Sequence, residues 1–306
     1  MVYLMLILGL FLLVYGGNML VDGSVQVAKK MGVSSLVIGL VLVGFGTSTP
    51  ELLASLISVM KGANGIAVGN VVGSNIANIL LVLGAAAFVH PIKVDIKDFK
   101  RDGSVLMIAS VGVLIATYIG VINRVMGLLF VAMLIGYVYY CYKTDKKKHQ
   151  TEPLETDEKG VSLPKSLLKS VVGIALTMLG AKFLIDNAIE LARVWGVSEA
   201  VIGLTIVAEG TSLPELTASM IASVKKENGV AFGNVVGSNI YNALFILGVV
   251  ALILPIKVNA DMQIDAIIML VVALALTLIA FIKKEFSRTI GALFLLSYIG
   301  YVWYLF

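Results

Sequence analysis

The chain contains one long unit twice. Residues Val33–Val94 recur as Val197–Val258 at an offset of 164 positions without a gap, and 37 of the 62 positions are identical. The same offset matches Gly9 with Gly173, Gly16 with Gly180, Asp22 with Asp186 and Gly32 with Gly196, so the repeat also includes the run before the matched block. Eighteen of the 37 shared residues are Gly, Asn, Ser, Thr, Pro or Glu, which chance likeness between apolar segments does not produce. Any fold of this chain must therefore hold two copies of one unit.

The medium of that fold follows from hydropathy. Only 14% of the 306 residues are charged, 59% are hydrophobic, and the mean hydropathy is +0.98. A soluble domain is about a quarter charged. The apolar residues form runs of about 18 to 27, the length that crosses a hydrocarbon core. A soluble helical bundle would need a polar face on each helix, which these runs lack. The expected fold is an all-α polytopic membrane protein with ten transmembrane helices, at about 3–27, 34–60, 66–90, 104–121, 125–142, 164–192, 198–224, 230–254, 264–282 and 288–305. One cysteine, Cys141, excludes an internal disulfide framework and a four-cysteine metal site. No basic leader or small-residue cleavage site opens the chain, so Met1 onward reads as a first span.

Residues 1–142 form one five-helix repeat, 164–306 the second, and 143–163 the only extended polar segment, too short for a domain and read as a linker. Five is odd, so the second copy enters the membrane from the opposite side, giving two inverted five-helix repeats. Basic residues orient them. With both termini outside, eighteen lysines and arginines fall on the inner side and four (Lys61, Arg124, Arg193 and Lys257) on the outer. This places the linker in the cytoplasm, with the chain multi-pass in the cell membrane. The basic balance thus reflects topology and contact with the lipid bilayer rather than nucleic acid. No partner protein is required.

In the second span, Gly44-Phe45-Gly46-Thr47-Ser48-Thr49-Pro50-Glu51 combines helix-weakening glycines with a proline that removes a backbone donor. The helix is expected to break near 46–50, with Pro50 in the first turn of a new segment and Glu51 beside it. Ala208-Glu209-Gly210-Thr211-Ser212-Leu213-Pro214-Glu215 repeats this. Broken backbone at membrane depth is tolerated only inside protein or along an aqueous cavity, and a carboxylate there signals function. The third and eighth spans carry Gly69-Asn70-Val71-Val72-Gly73-Ser74-Asn75-Ile76-Ala77-Asn78 and Gly233-Asn234-Val235-Val236-Gly237-Ser238-Asn239-Ile240-Tyr241-Asn242. Ser74 and Asn78 share a helix face, as do Ser238 and Asn242. The groups that could converge are two carboxylates, the four Thr-Ser hydroxyls, Ser74, Ser238 and several asparagine carbonyls. Such an all-oxygen set suits a hard cation, Ca²⁺ or Na⁺, over Zn²⁺ or Cu⁺. Two glutamates supply about −2, which one Ca²⁺ or a set of Na⁺ ions would neutralise. Asn70 and Asn234 read as bonds between helices, Asn75 and Asn239 as supporting or gating groups. The Lys182–Asp186 spacing reads as a local ion pair.

The paired Gly-Thr-Ser-x-Pro-Glu segments, each followed by Gly-Asn-Val-Val-Gly-Ser-Asn, resemble the two repeats of the sodium/calcium exchangers, and the likeness to prokaryotic members covers the whole chain. The resemblance implies exchange of Ca²⁺ for Na⁺ by alternating access, with Glu51 and Glu215 as ligand carboxylates. It further implies side-chain oxygens from Thr47, Ser48, Ser74, Asn78, Thr211, Ser212, Ser238 and Asn242, and backbone carbonyls at Gly44 and Ala208. Asn at both 78 and 242 argues against K⁺ co-transport. Glu209, paired by the repeat with Phe45, faces either a cavity or protein away from the site.

The alternative on the same scaffold is a Ca²⁺/H⁺ antiporter, in which the glutamates exchange protons. An enzyme is not expected: the two histidines, His90 and His149, lie far in sequence from the Thr-Ser pairs, and no Ser-His-Asp order is present. Discontinuous helices in inverted repeats favour a transporter over a channel. No cofactor is expected, since the ions are cargo.

Overall fold

A computed structural model describes residues 1–151, 162–196 and 210–305. The described chain is helical apart from four two-residue strands. Seven of its helices are long and apolar enough to cross a membrane, or eight with the bent pair Ser35–Thr47 and Thr49–Met60 taken as one span.

Helix α1 (Val2–Met31) ends at Gly32 in the left-handed conformation, and Ser34 caps the next segment by accepting from the Val37 amide. That segment runs through α2 (Ser35–Ile38), a π-helical turn at Gly39–Gly44 and α3 (Phe45–Thr47). It bends by 42° into α4 (Thr49–Met60). Next come α5 (Asn64–Ala77), a π-helical turn at Asn78–Leu83, α6 (Gly84–Val89), β1 (Ile92–Lys93), α7 (Ile96–Ile119), β2 (Val121–Ile122) and α8 (Arg124–Thr151). Helix α8 extends to Thr151, so the start of the segment read as a linker is helical.

The second half contains α9 (Leu163–Val194), α10 (Leu213–Val224), α11 (Asn228–Tyr241), a π-helical turn at Asn242–Ile246 and α12 (Leu247–Ile253). It closes with β3 (Ile256–Lys257), α13 (Met262–Lys283), β4 (Glu285–Phe286) and α14 (Arg288–Leu305). The ion pair expected in α9 is present, with Lys182 Nζ 2.6 Å from Asp186.

Contacts between the halves come in matched pairs at the 164-residue offset. Helices α1 and α9 run antiparallel and so close that a Cβ on Gly9 would lie 3.0 Å from the Gly180 carbonyl oxygen, and one on Gly173 2.8 Å from that of Gly16. Such small-residue seams let backbones meet without a hydrophobic drive between helices. In the same way, Gly84 meets Gly291 and Gly248 meets Gly127. Strand β1 pairs antiparallel with β4, Ile92 opposite Phe286, and β2 pairs with β3, Ile122 opposite Ile256. Each ribbon takes one strand from each half.

One buried charge in the first half has only a partial counterpart, Asp265, which accepts at 3.3 Å from Tyr301, the repeat equivalent of Tyr137. Asp102 is fully buried, with Arg101 Nε 2.6 Å away and the Tyr137 hydroxyl donating to it at 2.8 Å. Cys141 is buried in the same cluster, its Sγ 3.8 Å from Asp102. Position 266 in the second half is alanine.

Candidate functional site

The break that the sequence places near 46–50 falls at Ser48, whose φ of −81° and ψ of 5° leave the helical range. Pro50 stands in the first turn of α4, where its missing amide costs no helical bond. Glu51 follows it. Ser212 has nearly the same backbone, φ −86° and ψ 1°, ahead of Pro214 and Glu215 at the start of α10. Both carboxylates therefore sit in the first turn of a helix, where exposed amides favour negative charge. Both are fully buried and within electrostatic range of each other.

Other expected site residues gather around them. Thr47, Ser48, Ser74, Asn78, Ser212, Ser238 and Asn242 are buried, none more than 5% exposed. The Ser48 hydroxyl donates to Glu215 Oε1 at 3.3 Å. Thr47 Oγ1 lies 3.0 Å from the Val43 carbonyl oxygen of its own segment, 3.2 Å from Asn234 Oδ1 and 3.5 Å from Ser238 Oγ. The segment carrying Thr47 thus docks on α11 of the other half, where a Cβ on Gly44 would lie 3.0 Å from the Ser238 amide nitrogen. The π-helical turn opening at Asn78 packs on α10, and the one opening at Asn242 packs on α4. Each turn therefore packs on the helix that carries the other half's glutamate.

Many of these oxygens have no partner. Both Glu51 carboxylate oxygens, Glu215 Oε2, Thr211 Oγ1 and the side-chain amides of Asn78 and Asn242 are buried without a hydrogen bond. A polar group left unpaired in the interior costs about 1–3 kcal/mol, and more if charged. Their gathering beside a helix break is what a cation site requires. Among the described residues, no group of three or more His, Cys, Asp or Glu could hold a metal, so any site here depends on neutral oxygens joining the two carboxylates.

The Gly44 carbonyl accepts from the Ser48 amide at 3.1 Å and from Thr47 Oγ1 at 3.4 Å. Ala208 and Glu209 lie outside the described residues.

Asn70 and Asn234 link helices as expected, each by two bonds. Asn70 Nδ2 donates to the Glu51 carbonyl at 3.2 Å and to Ser55 Oγ at 2.9 Å. Asn234 Nδ2 makes the equivalent bonds to the Glu215 carbonyl and Ser219 Oγ, at the same two lengths. The sequence reading missed that Asn234 also receives Thr47 from the other half. Its signal was there in Asn-x-x-x-Ser, which sets Asn234 one helical turn before Ser238. Asn75 Nδ2 donates to the Asn239 carbonyl at 3.2 Å, joining the halves at equivalent positions.

A family model for the sodium/calcium exchanger protein matches residues 1–143 and 165–306. The chain belongs to the sodium/calcium exchanger family. It is 34% identical to sodium/calcium exchanger MaX1 of Methanosarcina acetivorans, over 99% of this chain and 98% of that protein. It is also 34% identical to a proposed antiporter, CaxA, of Alkalimonas amylolytica, over 98% and 97% of the two chains. A solved structure of the sodium-calcium exchanger NCX_Mj, soaked with 10 mM Na⁺ and zero Ca²⁺, superposes with a TM-score of 0.85 at 34% identity, covering 98% of each chain. The family's members are exchangers, and this exchanger-family chain is a multi-pass helical membrane protein.

Proposed function

We propose that this member of the exchanger family is an antiporter that moves Ca²⁺ one way and Na⁺ the other by alternating access. The observation that carries the reading is the set of buried, unpartnered oxygens on Glu51, Glu215, Asn78, Asn242 and Thr211. In this reading Glu51 and Glu215 hold the cation. Thr47, Ser48, Ser74, Asn78, Thr211, Ser212, Ser238 and Asn242 supply neutral oxygens, with the backbone carbonyls of Gly44 and Ala208 completing the set. Two carboxylates balance one Ca²⁺, and Na⁺ ions on overlapping oxygens replace it. The hydroxyls favour Na⁺ over protons as the counter-ion, because proton exchange on two carboxylates needs no neutral ligands.

The proposed architecture is ten spans in two inverted repeats, with both termini outside the cell membrane and residues 143–163 cytoplasmic. Supporting it are the antiparallel α1–α9 seam, the reciprocal glycine contacts, and ribbons that join β1 to β4 and β2 to β3. Those pairs fall on common sides in that topology.

The test is ⁴⁵Ca²⁺ uptake into vesicles containing the protein, with Na⁺, K⁺ and H⁺ gradients imposed one at a time. An outward Na⁺ gradient should drive uptake and a K⁺ gradient should not. Uptake indifferent to Na⁺ overturns the reading. Uptake driven by a pH gradient in Na⁺-free buffer assigns the chain to Ca²⁺/H⁺ exchange instead.

A further inference from the structure

Asp22 lies on α1, where the repeat pairs it with Asp186. Its two carboxylate oxygens hold lysines from two different elements of the other half. Lys225 Nζ, in the turn after α10, is 2.6 Å from Oδ1, and Lys169 Nζ, on α9, is 3.2 Å from Oδ2. The three side chains are 31% to 42% exposed, so water only partly screens them. Asp22 thereby ties α1 and α9 to the turn that ends the Glu215 helix, on the side proposed as cytoplasmic.

The equivalent contact in the other half is not made. The repeat pairs Lys225 with Lys61, and Lys169 with Met5. Asp186 is bound instead by Lys182 of its own helix, and Lys61 makes no ion pair among the described residues. The same asymmetry runs through the centre. Thr47 reaches Asn234 and Ser48 reaches Glu215, yet Thr211 Oγ1 and both Glu51 oxygens remain unpartnered. Thr47–Asn234 and Ser48–Glu215 are thus within bonding distance, and their repeat equivalents make no hydrogen bond of normal geometry.

We propose that Asp22–Lys225 and Asp186–Lys61 are alternating latches: the first holds the cytoplasmic side shut in the present conformation, and the second replaces it when the molecule opens inward. The inference rests on the transport reading above. Asp22, Lys225, Asp186 and Lys61 are positioning residues in it, remote from the ion-binding oxygens. Lys169 steadies Asp22 from α9, and the lack of a lysine at position 5 makes the outer latch the weaker one. The resting molecule therefore favours the state with the inner side closed.

The test uses disulfide trapping in the full-length protein in vesicles. Replacing Cys141 by Ser removes the only native thiol. In that background the Asp22→Cys/Lys225→Cys pair should crosslink readily under mild oxidation, and Lys61→Cys/Asp186→Cys slowly. Adding Asp22→Asn to the second pair should raise its crosslinking rate about fivefold, the shift expected for a lost part-buried ion pair, and Asp22→Glu should return it toward the starting rate. Lys225→Gln, in an exposed turn, should act as Asp22→Asn does and guards against misfolding of the α1 variant. A 61–186 rate unchanged by both substitutions, or no 61–186 crosslink where 22–225 forms, overturns the latch. Crosslinking needs no ion flux, so failure of Na⁺-driven uptake would overturn the proposed function and leave this result standing.

Discussion

The Ser48 hydroxyl donates to Glu215 across 167 residues of sequence, at 3.3 Å. Glu51, one helical turn beyond Ser48, has no partner on either carboxylate oxygen. The two glutamates are equivalent by repeat and unequal in surroundings.

Both should nevertheless be indispensable. Removing one charge leaves about −1 against a divalent cargo ion. Glu51→Gln and Glu215→Gln are each expected to weaken Ca²⁺ binding by about 100-fold or more, exceeding the 10- to 100-fold typical of losing a group behind the ligands. Equilibrium ⁴⁵Ca²⁺ binding to purified protein measures this without turnover.

Asn234 and Asn70 make the same two bonds within their halves, but Asn234 alone holds Thr47. Asn234→Ala should therefore destabilise the protein by about 1 kcal/mol more than Asn70→Ala, the net value of one hydrogen bond. It should also cost more in Ca²⁺ affinity, because Thr47 loses its contact with the other half and keeps only bonds within its own segment. Thermal unfolding in detergent, with and without Ca²⁺, separates the two effects.

The α1–α9 seam has no room for a side chain. A Cβ at Gly173 would lie 2.4 Å from the Leu20 amide nitrogen, whereas one at Gly73 meets nothing within 4 Å. Gly173→Ala should cost about 1–3 kcal/mol through forced separation of the helices, while Gly73→Ala should be near neutral. The same melting assay reads both.

Two turns carry glycine in the first half and lysine in the second, in the same left-handed conformation. Gly62 and Lys226 have φ of 79° and 62°, and Gly120 and Lys284 have 80° and 57°. Lys226→Gly and Lys284→Gly should each stabilise by up to about 1 kcal/mol, since only glycine adopts this backbone without a Cβ clash.

Much of this was legible because membrane depth makes polar residues conspicuous. Pro50 and the glycines before it located the break to within two residues of Ser48, and Glu51 marked the candidate site. What a linear pattern does not carry is which half a side chain meets. Thr47 bonds within its own helix, to the Val43 carbonyl at 3.0 Å, and the packing of Gly44 on Gly237 and Ser238 also brings it within 3.2 Å of Asn234 Oδ1. The π-helical turns at 39–44, 78–83 and 242–246 were also silent. A π turn accommodates one extra residue per turn and has no composition of its own. Asp102 escaped notice because, next to Arg101 at a helix start, it looks like any charge at the membrane surface.

Each two-stranded ribbon takes its second strand from the opposite half, with Ile92 against Phe286 and Ile122 against Ile256. A protein made of one half alone would leave two strand edges unpaired, and a second copy, turned over, would satisfy both with the same register. On the proposed inverted-repeat architecture, the chain has the geometry of a two-fold dimer joined into one polypeptide. In a single chain equivalent positions can differ, and one face holds Lys169 where its mirror holds Met5. A strict dimer has no such preference to encode, because each substitution would strengthen both faces equally.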